Sequence, residues 1–406
     1  MQLFYLCVII LGVFFIGLFS THLRRAAATA PLLCIAAGWA LSAGAGATLS
    51  LDFNERHAGA LGEAGLAMLL FLNASQIRLG RIGRDHPIAL RVSTLALPLQ
   101  FALGCAAAMV FFPGLAPWTA FLLIAVLLPT DIAPWRRALA HQGAPLSIRK
   151  ALCADGVLTS AVVLPMVLAF AACASVPADG ARPLMGLELT YMGVILGLLL
   201  GAFVGASAAR VMRLVENKKL KMAVGLIAGG AAYAIAPLAE ADGAMAALAA
   251  GFAIAEGRGK EGLALRRIRG AFERRLTPLA YVAFGAFLLP RALPNIDMLT
   301  AVFALFLVTF LRLVPRYMAV GRGLHGESRF FVAGFGGHGA VAILMLITLA
   351  NKPVIVDQEL VVTAASLAIF LSVILMRLTA DPLALRYGKR VNALRARGLC
   401  RREFAD

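Results

Sequence analysis

The sequence predicts an all-α polytopic membrane protein of about thirteen transmembrane helices, and three observations carry that expectation. The 406 residues are 61% hydrophobic and 15% charged, with a mean hydropathy of +0.86, whereas a soluble globular chain holds about 45–50% apolar and about 25% charged residues. The apolar residues fall in runs of membrane-spanning length, separated by charged or Pro/Gly-rich breaks. Finally, the lysines and arginines crowd into every second connection between those runs. The span pattern excludes a soluble enzyme. The net charge of +17 calls for no nucleic acid, because basic loops facing an anionic leaflet gain about 1 kcal/mol per residue near the surface.

Taken in order, the spans are 2–20, 31–49, 58–77, 88–112, 117–135, 151–173, 187–209, 220–238, 241–257, 276–290, 297–320, 330–350 and 360–378. The first, LFYLCVIILGVFFIGLF, has no basic stretch before it and no small-residue cleavage site after it, so it reads as a retained helix rather than a signal peptide. Between 220 and 257, Pro237 and the acidic turn at 240–242 favour two short helices over one long tilted one. With these bounds, alternate connections hold 34 basic residues on one side and four (Arg56, Arg182, Arg291, Lys352) on the other. That asymmetry puts the N-terminus outside and the C-terminus in the cytoplasm, in a cytoplasmic (inner) membrane. Residues 1–385 form the membrane domain and 386–406 a basic cytoplasmic tail, read as a solvated end in preference to a short interfacial helix. The six cysteines are scattered, with no CxxC pair and no histidine at metal-ligand spacing, so free thiols, no metal site and no cofactor are expected.

Polar groups at membrane depth are costly, roughly 3 kcal/mol for an aspartate on an insertion scale, and they mark transport pathways. The span ALCADGVLTSAVVLP carries Asp155, Thr159 and Ser160. Upstream, Pro129 and Pro134 bracket Thr130 and Asp131; downstream, AGFGGHGAVAI sets four glycines, among them Gly336 and Gly337, around His338. Helix breaks are tolerated where the freed backbone lines a cavity or is packed in protein, and paired breaks far apart in a chain point to a midplane site built from two broken helices. Asp131 then either balances half-helix dipoles or binds an ion directly. Residues 334–339 also satisfy GxGxxG, but a dinucleotide site needs a strand before the glycines, and these lie inside a span.

Read in order, these segments resemble the sodium/proton exchanger type of the monovalent cation:proton antiporter family over nearly the whole membrane region. GLAMLLFLNASQIRLGRI is similar to the family's Leu-Phe-x-Asp-Ala-Ser stretch. LLPTDIAPWRRALAHQGAPLSIRKALCADGVLTSAVVLP is similar, without a gap, to the segment running from Pro-Thr-Asp to Glu-Ser-Gly-Leu-Asn-Asp-Gly. FLRLVPR carries Arg312 at the family's membrane arginine, and FVAGFGGHGAVAI stands at its Gly-x-Arg-Gly stretch. The resemblance implies inverted repeats with two interrupted crossing helices, antiport of sodium or potassium against protons by alternating access, and a homodimer in the lipid bilayer.

The active residues carry over unevenly. Thr130 and Asp131 match the Thr-Asp pair, and Asp155 stands at the family's glutamate. Thr159 and Ser160 replace the Asn-Asp pair whose aspartate alternately binds cation and proton. Asn73 replaces an acidic residue, and His338 replaces the arginine expected to partner the glutamate. A hydroxyl offers no accessible charge change, so Asp131 and Asp155 are the carboxylates left for coupling. Two readings stand for His338: it hydrogen-bonds backbone freed by the break, or it pairs with Asp155 and titrates. Arg312 is expected to neutralise a carboxylate or a half-helix C-terminus. The alternatives to an antiporter with an altered ion site are a same-fold transporter of changed substrate and a non-transporting relative.

Overall fold

The computed structural model describes residues 30–45, 55–136, 139, 144–175, 183–257, 262–321, 324, 326–351 and 355–396. The expected span 2–20 and residues 397–406 of the tail lie outside them. Within them the chain is helical, and each remaining expected span coincides with a helix or a pair of half-helices. They are α1 (Ala30–Ala45), α2 (Glu55–Ala74), α3 (Pro87–Phe111), α4 (Pro117–Leu127), α5 (Leu146–Ala174), α6 (Pro183–Leu214), α7 (Lys218–Ile235), α8 (Gly243–Gly257), α9 (Gly262–Ala283), α10 (Met298–Val320), α11 (Gly326–Gly334), α12 (Ala340–Ala350) and α13 (Gln358–Ala396). Among the described residues, seven helices are by themselves long and apolar enough to cross a membrane.

The region 220–257 divides into α7 and α8 as its proline and acidic turn predict; Glu240 closes the turn in left-handed backbone, at φ 53°. The helix α13 differs from expectation. It runs 39 residues without a break, through Pro382 and past residue 385, so 386–396 are its last turns. Its inner face there stays apolar: Ala384, Tyr387 and Val391 are buried, and the Tyr387 ring stacks on Phe331 of α11 at 4.2 Å.

In lipid, helices gain nothing from apolar contact alone, so close approach through small residues drives their packing. Gly201 and Gly205, one turn apart on α6, lie against the Ala246 and Ala250 carbonyls of α8; a Cβ at either glycine would overlap that backbone. This interface flanks a main core shared by α2, α4, α5, α12 and α13. A second apolar cluster, around Trp135, Phe331, Phe335 and Met376, packs against the two helix breaks.

Candidate functional site

The site begins where two helices fail. Pro129 removes a backbone donor and disfavours helical geometry for the residue before it, and α4 ends at Leu127. The next five residues are non-helical, followed by a short 3-10 turn at Ala133–Trp135. On the other side, α11 stops at Gly334 and α12 starts at Ala340. Gly336 there takes φ 124°, a conformation closed to ordinary side chains. The two unwound stretches cross and pair: Asp131 N donates to Gly337 O at 2.8 Å, and Gly337 N donates to Asp131 O at 3.3 Å. Each break thereby satisfies backbone groups of the other, as membrane depth demands.

Asp131 sits at this crossing, partly exposed. Its Oδ1 accepts from Ala133 N at 2.7 Å. Its Cβ and Oδ2 lie against Gly339, the residue that caps the N-terminus of α12, where a side chain would overlap them. Helix N-termini carry roughly half a positive charge, so a carboxylate there is favoured. Among the described residues no basic side chain forms an ion pair with it.

Asp155 has a different setting. It lies on α5, which runs unbroken through the polar cluster. Gly156 lets α5 close on the unwound stretch after α4, a Cβ there meeting Thr130 O at 2.5 Å. Arg316 of α10 donates to Asp155 Oδ2 at 2.8 Å, and both side chains are almost wholly buried, at 2% and 5% exposure. Thr130 donates to the same oxygen at 3.4 Å while accepting from Arg316 at 3.2 Å. Thr159 and Ser93 each donate to Oδ1 at 3.4 Å. Ser93 stands in a π-helical turn of α3, Val92–Ala96, a distortion that recurs at functional sites. Ser160 is buried but turned on its own helix, donating to Gly156 O at 2.7 Å.

His338 does not meet Asp155. Its Nε2 is 2.7 Å from Leu127 O at the end of α4, so the ring supplies the hydrogen bond that the break in α4 removes. Its own backbone N donates to Ser372 of α13 at 3.0 Å, and Tyr281 donates to its carbonyl at 3.4 Å. The cation that holds Asp155 is instead Arg316, which sequence reasoning counts with the basic loops although it is buried in α10. The signal that could have found it is the one-turn spacing of Arg312 and Arg316 in RLVPR. Arg312 is buried too, its Nε and Nη2 without hydrogen-bond partners, beneath Gly336. Asn73 lies in the last turn of α2, its Oδ1 buried and unpartnered, and among the described residues it makes no hydrogen bond to the crossing. No group of three or more metal-ligating side chains is found among the described residues.

The comparisons with known proteins agree with this architecture. The sodium proton antiporter MjNhaP1 from Methanocaldococcus jannaschii, at pH 8, matches with a TM-score of 0.74 at 15% identity, over 96% of this chain and 100% of that one. A second structure of MjNhaP1, from an electron-microscopy map, matches with a TM-score of 0.61 at 16% identity, over 93% and 97%. At such identities the likeness shows the fold. No curated protein matches the chain. The family model described as "Sodium/hydrogen exchanger, transmembrane" matches residues 10–386. With that match covering nearly the whole chain, and two unwound helices crossing at a carboxylate, the protein belongs to the transmembrane sodium/hydrogen exchanger family and is an integral membrane transporter of the antiporter type.

Proposed function

We propose that the protein exchanges a monovalent cation, Na+ or K+, for a proton by alternating access, through an altered ion site in which Asp131 is the group that holds either one. The supporting observation is the unequal partnering of the two carboxylates: Arg316 occupies Asp155 at 2.8 Å, while Asp131 stands on unwound backbone with no basic partner among the described residues. A coupling site must bind a proton or a cation at the same atoms, so it needs a carboxylate free to lose one and gain the other. Ser160 cannot do this, and Asp155 would first have to release a buried guanidinium. Thr130, Thr159 and Ser93 then tune the Asp155–Arg316 pair rather than the cargo. The same reading puts the basic loops in the cytoplasm and pairs two copies in the membrane; neither requires a bound cofactor.

Reconstitution in liposomes with an internal pH dye tests this. Addition of sodium or potassium is expected to drive proton efflux, and Asp131→Asn to abolish it. Exchange that survives in Asp131→Asn would overturn the assignment. A second reading, a relative that has lost turnover, rests on Ser160 being bonded back to its own helix. It predicts silence of the native chain with every cation and recovery in Thr159→Asn with Ser160→Asp.

A further inference from the structure

We propose that a cavity beside the crossing binds a small monovalent anion of the halide type, held by Arg312. The cavity measures about 30 Å³ and is lined by Arg312, Gln100, Thr130, His338 and apolar side chains of α4 and α10. One water-sized particle needs roughly 10–15 Å³ on the same measure, so a single halide has room. The space has a structural origin: α10 makes a π-helical turn at Leu307–Leu311 immediately before Arg312, and both end residues of that turn line the cavity.

Charge and hydrogen bonding both point to an anion. Arg312 and Arg316 lie one turn apart on α10 and are both buried, yet among the described residues the one carboxylate paired with them is Asp155, taken by Arg316. Asp131 is turned the other way, toward Ala133 N and Gly339. The C-termini of α4 and α11 bring partial negative charge, about half a unit each. Neither gives Arg312 an acceptor: Leu127 O is engaged by His338 Nε2, and Arg312 Nε and Nη2 remain unpartnered. Gln100 spends its amide donor on the backbone carbonyls of Leu311 and Arg312, at 3.3 Å each. A compact anion in the cavity would accept from the guanidinium as a charge-assisted partner.

The site is independent of the role given to Asp131, because its test reads binding and not transport. The full chain, purified in detergent in sodium gluconate at fixed ionic strength, is titrated with chloride or bromide. The midpoint of thermal unfolding is expected to rise in the way a ligand of the folded state requires. Radioactive chloride is expected to bind saturably, displaced by bromide and not by gluconate or phosphate. Arg312→Gln should weaken half-saturation by about tenfold or more, and Arg312→Lys by less. Unchanged binding in Arg312→Gln would overturn the proposal. So would the absence of saturable chloride binding in the native chain, which would mean that water bridges Arg312 to His338 Nδ1 while the half-helix ends balance the charge. That second measurement needs no variant, so it decides the matter even if Arg312→Gln fails to fold.

Discussion

Asp131 and Asp155 are the same side chain in neighbouring segments of one bundle, and the backbone beneath them assigns them different work. Asp155 stands on a continuous helix, where every main-chain group is already satisfied and the side chain must find its partner across space; it finds Arg316, with three hydroxyls around it. Asp131 stands where the helix is undone, so its main chain is satisfied by Gly337 and its carboxylate by one backbone N–H and the end of α12. One aspartate is locked into an ion pair, and the other has no basic partner among the described residues. The lesson is that an unwound backbone can supply much of the stabilisation for a half-buried carboxylate that would otherwise require a countercharge.

The largest expected effect comes from breaking the locked side. Asp155→Asn strands a guanidinium that is 2% exposed, and removing one partner of a buried pair costs about 3–5 kcal/mol. A large fall in the thermal midpoint is expected, with most of it recovered in Asp155→Leu combined with Arg316→Met. A single variant as stable as the native chain would show that the pair does not hold the bundle. Next comes the crossing itself. Gly339→Ala forces a Cβ into the Asp131 side chain, and overpacking of this kind costs about 1–3 kcal/mol; stability and transport should fall together.

Asp131→Asn sharpens the contrast most, because it keeps the shape and removes the charge change. Stability should move by no more than about 1 kcal/mol, while transport is lost; an equal loss of both would make Asp131 structural. Smaller still is Glu273→Gln. Glu273 on α9 bridges Arg136 at 2.8 Å, just beyond the unwound stretch after α4, and Arg269 at 2.6 Å. Glu273 itself is nearly buried, but Arg136 is about a third exposed and the glutamine amide oxygen can still accept from Arg269, so the variant should lose about 1 kcal/mol, read in chemical denaturation.

The smallest effect belongs to an exposed aspartate at the very start of α10, which serves as the reference for both. Asp297 caps α10 by accepting from Thr300 N at 2.8 Å. The hydrogen bonds from Thr300 hold its carboxyl below the ordinary value of 3.8. A lowered folded-state value means its stabilisation is complete above the unfolded pKa and fades as pH falls through the folded one. Asp297→Ala should therefore lose a little stability near neutrality, where the capping carboxylate is ionised, and flatten the acid-side fall below about pH 4.

Much of the fold is legible in the sequence because hydropathy and breaks act locally. The lengths of apolar runs, Pro129 before Asp131, and the glycines around His338 each declare themselves within a few residues, and α4, α11 and α12 end at them. The end of α13 departs from expectation for a local reason as well. The basic residues after 385 suggest a solvated tail, but Tyr387 and Val391 continue an apolar stripe that composition alone hides. The candidate site is legible in its members and not in its pairings. Asp155, Thr130, Thr159 and Ser160 stand out as polar groups in apolar runs; of the two readings open for His338, the hydrogen bond to backbone freed by a break is the one found, while the pairing with Asp155 rested on the family resemblance alone.

By itself, the sequence determined that this is a helical membrane protein, where its spans lie and where two of them must come apart. Those outcomes follow from the cost of unsatisfied backbone in lipid, which each segment meets or fails to meet on its own. The tertiary structure alone decided that the two breaks cross, that Arg316 rather than His338 holds Asp155, and that Arg312 is left over beside a cavity. Such pairings join side chains 161 positions apart in the case of Arg316 and Asp155. They depend on which faces two helices present when they pack, and no stretch of sequence carries that information alone.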